Sequence, residues 1–178
     1  MGDRATEVAV VIVDDGKIVD RYQSLMNTGA RIPAFIESLT GISNAMIRKA
    51  PPVAEVMRAL AEFVGDVPLV AHNASFDSKF LDAEWLWINQ QRRQEFACSM
   101  LLARRIYPGA PDHKLGTLVR HLELPSAIRH HRALADAEMT AHLWVRMVSD
   151  IKQQYGLSTV PHAFLRAMQK SPKAQMNS

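Results

Sequence analysis

"EVAVVIVDDGKIVDRYQSLMN", residues 7–27, reads as a β-hairpin. Val8 to Val13 form an almost unbroken apolar, β-branched run, and Asp15-Gly16 is a strong signal for the two-residue turn that joins antiparallel strands. The lack of polar alternation predicts a strand covered on both faces, as in the middle of an α/β sheet. The rest of the chain supplies the covering. Pro33 opens a short helical stretch, "IPAFIESLTGI", and Ser43 is placed to cap the next one, "SNAMIRKA". "PPVAEVMRALAEFVG" puts Val53, Val56, Met57, Leu60 and Phe63 on one helical face and closes on Gly65. "VPLVAH" is a short buried strand that runs directly into a helix, "SFDSKFLDAEWLWINQQ". "EFACSM" is a further strand candidate. Helices are predicted over "LLARRIY", "KLGTLVRHLEL", "ALADAEMTAHLWVRMVSDIKQQYG" and "VPHAFLRAMQK". The order gives an α/β fold, a mixed sheet flanked by helices with no internal repeat, in one domain over residues 1–170. The polar "SPKAQMNS", 171–178, is expected to be a disordered tail.

Composition narrows the class. A chain of 178 residues that is 48% hydrophobic is long enough for one sizeable core. A single cysteine, Cys98, excludes a disulfide framework and a multi-cysteine zinc site, and points to a reducing, cytoplasmic setting. No apolar run approaches the roughly 18 residues of a membrane span, so no membrane association is expected. "MGDRATEVAV" carries acid and base early and lacks the shape of a signal peptide. A net charge of +3 permits a polyanionic partner without requiring one.

Chemistry concentrates at two helix starts. Asp77 follows the "LVAHN" strand at a strand-to-helix turn, where open α/β sheets place their ligands. Asp136 lies in the first turn of the longest helix, in "HHRALADAEMTAHL", residues 130–143. Either aspartate alone is accounted for by the helix dipole, a matter of about 0.3–1 kcal/mol. With His131 just ahead of Asp136, the three together suit carboxylate ligands to a hard divalent ion and a proton acceptor beside them. Phosphodiester hydrolysis of this kind uses two ions about 3.5–4 Å apart. H-E-x-x-H, G-x-S-x-G and Walker motifs do not occur, and the S-x-x-K match at Ser149 and Lys152 falls inside a helix without companions. Arg104, Arg105, Lys114, Arg120, Arg129 and Arg132 surround the candidate site in sequence, either as a solvated face or as phosphate contacts.

Four stretches in order, "IPAFIESLTGISNAMI", "LVAHNASFDSKFL", "LLARRIYPGAPDHKLGTLVRHLEL" and "HRALADAEMTAHL", resemble the DEDDh 3′→5′ exonucleases. The likeness is to the proofreading epsilon subunit of bacterial DNA polymerase III, with RNase T and oligoribonuclease as cousins, and covers roughly residues 5–150. The resemblance implies an RNase H-like fold and a nuclease that releases 5′-mononucleotides using two Mg²⁺ or Mn²⁺ ions. It places Asp77 and Asp136 as metal ligands and His131 as the general base for the attacking water. Asn73 falls in the "HNA-FD" turn beside the substrate strand, and Ile42 where the family presses an apolar residue on the terminal nucleotide. The implied partners are a single-stranded DNA or RNA 3′ end and a DNA polymerase subunit.

The family's first motif, a strand reading D-x-E-T-T-G, would stand immediately ahead of "GDRATEVAVV", where this chain begins. Two of the four family carboxylates are therefore expected to be missing. "DAE" at 82–84 and again at 136–138 cannot replace them: on a helix, residues two apart point about 200° apart. Asp3 and Glu7 have the wrong spacing, and Glu7 matches a position on the second strand. In the family the first strand lies at the centre of the sheet, so its neighbours are expected to carry open edges. A start codon further upstream, a decayed relative, or a strand donated by another chain would each account for this; the first is preferred. The rival function is a non-catalytic module that binds nucleic acid or a polymerase.

Overall fold

The computed structural model describes residues 5–126 and 132–172. His131, Arg129 and the tail from residue 173 onward, all singled out above, lie outside the described residues. The chain divides into two compact units, the first built from Met1–Gly65, Leu81–Arg92 and Ala127–Glu138, the second from Asp66–Phe80, Arg93–Ser126 and Met139–Ser178.

The first unit opens on the hairpin. Strands β1 (Glu7–Asp14) and β2 (Lys17–Leu25) pair antiparallel, with Val10 opposite Tyr22. Asp15 and Gly16 take φ of 46° and 75°, the left-handed pair that a tight hairpin turn requires and that Asp-Gly supplies at low cost. Helix α1 (Ala34–Thr40) starts after Pro33 and ends at Gly41, whose φ of 72° lets its N–H return to the Glu37 carbonyl. Helix α2 (Asn44–Lys49) is capped as expected: the Ser43 hydroxyl accepts from the Met46 N–H at 3.1 Å. Asn44 also clasps Ile32, accepting its N–H at 2.8 Å and donating to its carbonyl at 3.1 Å. Ile32, Ile42 and Ile47 close a small core over these bonds. Helix α3 (Val53–Val64) buries Val53, Val56, Met57, Leu60 and Val64. Phe63, expected on that face, is half-buried and packs instead on Tyr22 at 5.6 Å between ring centroids.

In the second unit, β3 (Leu69–Ala71) and β4 (Phe96–Cys98) pair parallel. Helix α5 (Ser99–Ile106) leaves β4 without a connecting loop, followed by α6 (Leu115–His121). Two long helices have segments in both units: α4 (Ala74–Leu86) and α7 (Ala133–Tyr155). Helix α8 (His162–Lys170) ends the fold. Leu102, Leu118, Leu143, Met147, Ile151 and Leu165 form the core of this unit. Gln169 on α8 is buried and accepts the Cys98 N–H at 2.7 Å, tying the last helix to the β4 strand. Leu118 is fully buried, so Leu118→Ala should cost about 2–5 kcal/mol of stability, read as a lower urea midpoint.

The α/β class holds, with two corrections to the sheet. Strands expected in one mixed sheet form, among the described residues, an antiparallel pair in one unit and a parallel pair in the other. Neither β1 nor β3 is buried on both faces: Val8 to Val13 and Leu69 to Ala71 are all half-buried. The reason is pairing. Among the described residues each of these strands has a ladder on one side only, so an apolar run suited to a sheet interior is paired on a single side.

Candidate active site

Asp77 and Asp136 each sit in the first turn of a helix, α4 and α7 respectively. Asp77 belongs to the second unit and Asp136 to the first. The lead-in to Asp77 is a tight reversal. Asn73 adopts a φ of 70°, a left-handed conformation that asparagine tolerates better than most residues, and its carbonyl accepts the Phe76 N–H at 3.1 Å. That turn takes the chain from β3 into α4 and leaves the Asn73 side chain exposed. Asp77 itself is half-buried, and burial pushes its carboxyl above the ordinary carboxylate range. A partly dehydrated carboxylate at that turn is one a cation would stabilise.

The residue before this turn, His72, was not among the residues singled out above and holds three segments together. His72 stands with one ring nitrogen, Nε2, 2.8 Å from the His113 carbonyl and the other, Nδ1, 2.8 Å from the Ser99 hydroxyl. A carbonyl only accepts, so Nε2 carries a proton, while the fully buried Ser99 hydroxyl lies between Nδ1 and the Ala71 carbonyl, to which it donates at 3.3 Å. One imidazole thus ties the end of β3 to the start of α5 and to the loop ahead of α6. Burial holds its pKa below the ordinary histidine value, outweighing the carbonyl contact. The unfolded ring binds a proton more readily than the folded one. The stability His72 contributes is therefore full above about pH 6.5 and is lost as the pH falls below it. His162, also lowered by burial, acts in the same sense. His72→Asn should flatten the fall in Tm between pH 7 and 5.5 without abolishing it; an unchanged slope would remove His72 from this account.

Asp136 is half-buried, and its N–H closes the first turn of α7 on the Arg132 carbonyl at 3.1 Å. Ile42 is 2% exposed, packed with Ile32 and Ile47, while Phe35, Leu39 and Met46 on α1 and α2 present the exposed apolar surface of that region. Both "DAE" segments are helical, as expected; Asp82 pairs with Arg92 at 2.8 Å and Glu138 with Arg21 at 2.5 Å. Two of the arginines singled out in the sequence are engaged internally. Arg105 donates to the Ser171 and Leu101 carbonyls, and Arg132 to Glu7. Among the described residues, no group of three or more histidine, cysteine, aspartate or glutamate side chains gathers as a metal site. Asp77 and Asp136 do not by themselves make up the ligand set of two hard cations.

A family profile described as an exonuclease of the RNase T type matches residues 1–144. The chain belongs to this exonuclease family. Over 150 residues it is 37% identical to a PolC-type DNA polymerase III of Bacillus cereus, covering 84% of this chain. Over 154 residues it is 36% identical to that of Bacillus subtilis, covering 85%. It spans about a tenth of the length of these polymerases, 10% and 11% respectively. Among solved structures, exonuclease X in complex with 5′ overhanging duplex DNA matches with a TM-score of 0.72 at 28% identity, covering 92% of this chain and 90% of that one. The nuclease domain of 3′hExo, a DEDDh family member bound to rAMP, matches with a TM-score of 0.68 at 21% identity over 83% of this chain and 82% of that one, a likeness of fold. The chain is thus an exonuclease-family domain with an α/β fold similar to that of RNase H-like exonuclease structures, and it aligns with a segment of the PolC-type polymerases III. Exonucleases of this family use divalent metal ions. Among the described residues, no helix is long and apolar enough to cross a membrane.

Proposed function

We propose that this chain is the exonuclease domain that removes 5′-mononucleotides from the 3′ end of a single-stranded DNA or RNA, in the cytoplasm and in company with a DNA polymerase subunit. Asp77 and Asp136 each lend a carboxylate to a divalent ion, Mg²⁺ or Mn²⁺; when bound, such ions polarise the phosphate and lower the pKa of water. His131 takes the proton from the attacking water. Asn73, exposed on its left-handed turn, donates to or accepts from the substrate strand. The family likeness assigns Ile42 to the terminal nucleotide, although its side chain is 2% exposed and packs with Ile32 and Ile47. One observation carries the reading: the segment matched by the exonuclease family, residues 1–144, holds both first-turn aspartates.

The experiment is hydrolysis of a 5′-labelled oligonucleotide. Metal-dependent shortening from the 3′ end by single nucleotides, reduced in Asp77→Asn and Asp136→Asn alike, supports the assignment. Tight single-strand binding with no cleavage under any metal would replace it with a non-catalytic binding module.

A further inference from the structure

Glu7 begins β1 and meets the start of α7 more than a hundred residues later in the chain. Its side chain is only 6% exposed, and a carboxylate that deep needs partners. It has four. Oε1 accepts from Gln23 Nε2 at 2.6 Å and from Arg132 Nη2 at 2.9 Å. Oε2 accepts from Arg132 Nε at 3.1 Å and from the Ala133 N–H at 3.2 Å. The Arg132 contact is the bidentate fork that gives such pairs directional strength. The Ala133 N–H is one of the donors that a helix start leaves without an internal partner. Burial raises the Glu7 pKa, but Arg132, Gln23 and Ala133 outweigh it and hold the carboxyl below its ordinary value.

We infer that Glu7 is a positioning residue: through Arg132 and the Ala133 amide it fixes the first turn of α7 and with it the carboxylate of Asp136. Both oxygens of Glu7 are occupied, so it is not itself a ligand. Arg132 is held at both ends, its guanidinium by Glu7 and its carbonyl by the Asp136 N–H at 3.1 Å. One turn further on, Arg21 of β2 pairs with Glu138 at 2.5 Å. Asp136 therefore lies between two contacts with the same hairpin, one nearly buried and one largely exposed. An unanchored helix start frays, and fraying displaces a side chain by more than the ~0.5 Å that a metal ligand tolerates. The exposed pair adds little to this anchoring. The metal part of this inference rests on Asp136 being a ligand, as proposed above.

Two readouts on the full chain separate that premise from the inference: hydrogen exchange at the amides of residues 133–136, and Mn²⁺ affinity by electron paramagnetic resonance of the free ion. Glu7→Ala should speed exchange in that turn and weaken Mn²⁺ binding by about 10–100-fold, the range for losing a residue that orients a ligand. Arg21→Ala should do neither. In an Asp136→Asn background, Glu7→Ala should cause no further loss of affinity. Should Glu7→Ala not fold, Glu7→Gln, which keeps one acceptor but loses the charge, should show both effects in weaker form. If Asp136→Asn leaves Mn²⁺ binding intact, the ligand assignment fails, and faster exchange in Glu7→Ala still supports the positioning role. Unchanged exchange in the α7 turn overturns it. So does wild-type Mn²⁺ affinity in Glu7→Ala where Asp136→Asn lowers it.

Discussion

Residues 1–178 alone are expected to release mononucleotides far more slowly than the same chain carrying a D-x-E strand ahead of β1. The difference should be about 10²-fold or more, the scale on which removing one stabilising group from a hydrolytic site is felt. The reason is ligand chemistry. Two hard divalent ions need more oxygen ligands than Asp77 and Asp136 would provide, and among the described residues no group of three or more histidine, cysteine, aspartate or glutamate side chains gathers as a metal site. The added strand should also raise Tm. β1 holds Val8 to Val13 half-buried beside one ladder, and a second ladder would both pair its open edge and cover that apolar run. Activity and thermal unfolding should therefore improve together. Equal activity of the two chains would show that the working site needs no D-x-E.

In the strand-extended chain, His131→Ala should slow hydrolysis by roughly 10²–10⁴-fold, the usual contribution of a positioned general base. Its signature is kinetic. The loss should fall on kcat, with single-strand binding and KM nearly unchanged, because a base acts on water and contributes little to holding the strand. Full activity in the variant would move the role to another residue, with His130 the next to test.

How far the sequence alone leads depends on what each feature rests on. The hairpin was legible because Asp15-Gly16 is a local signal whose left-handed φ values few other pairs adopt as easily. So were the Ser43 cap and the buried face of α3, which depend on neighbours in the chain. The half-burial of β1 and β3 was not legible, since composition reports what a strand can tolerate and pairing decides what covers it. Asp77 and Asp136 stood out through their positions at helix starts. The Glu7–Arg132 clasp and the His72–Ser99–His113 tie did not, because each joins residues far apart in sequence whose types are ordinary one at a time. A histidine directly after a strand and before an Asn-Ala turn was the available clue to His72.

The most direct test of the central claim is Mn²⁺ binding by the wild-type chain, Asp77→Asn and Asp136→Asn, followed by electron paramagnetic resonance so that no turnover is required. Residues 1–178 should bind Mn²⁺ weakly, each variant more weakly still, and the chain carrying a D-x-E strand more strongly. Tight binding of two ions by the wild-type chain, unaffected by either substitution, would contradict it.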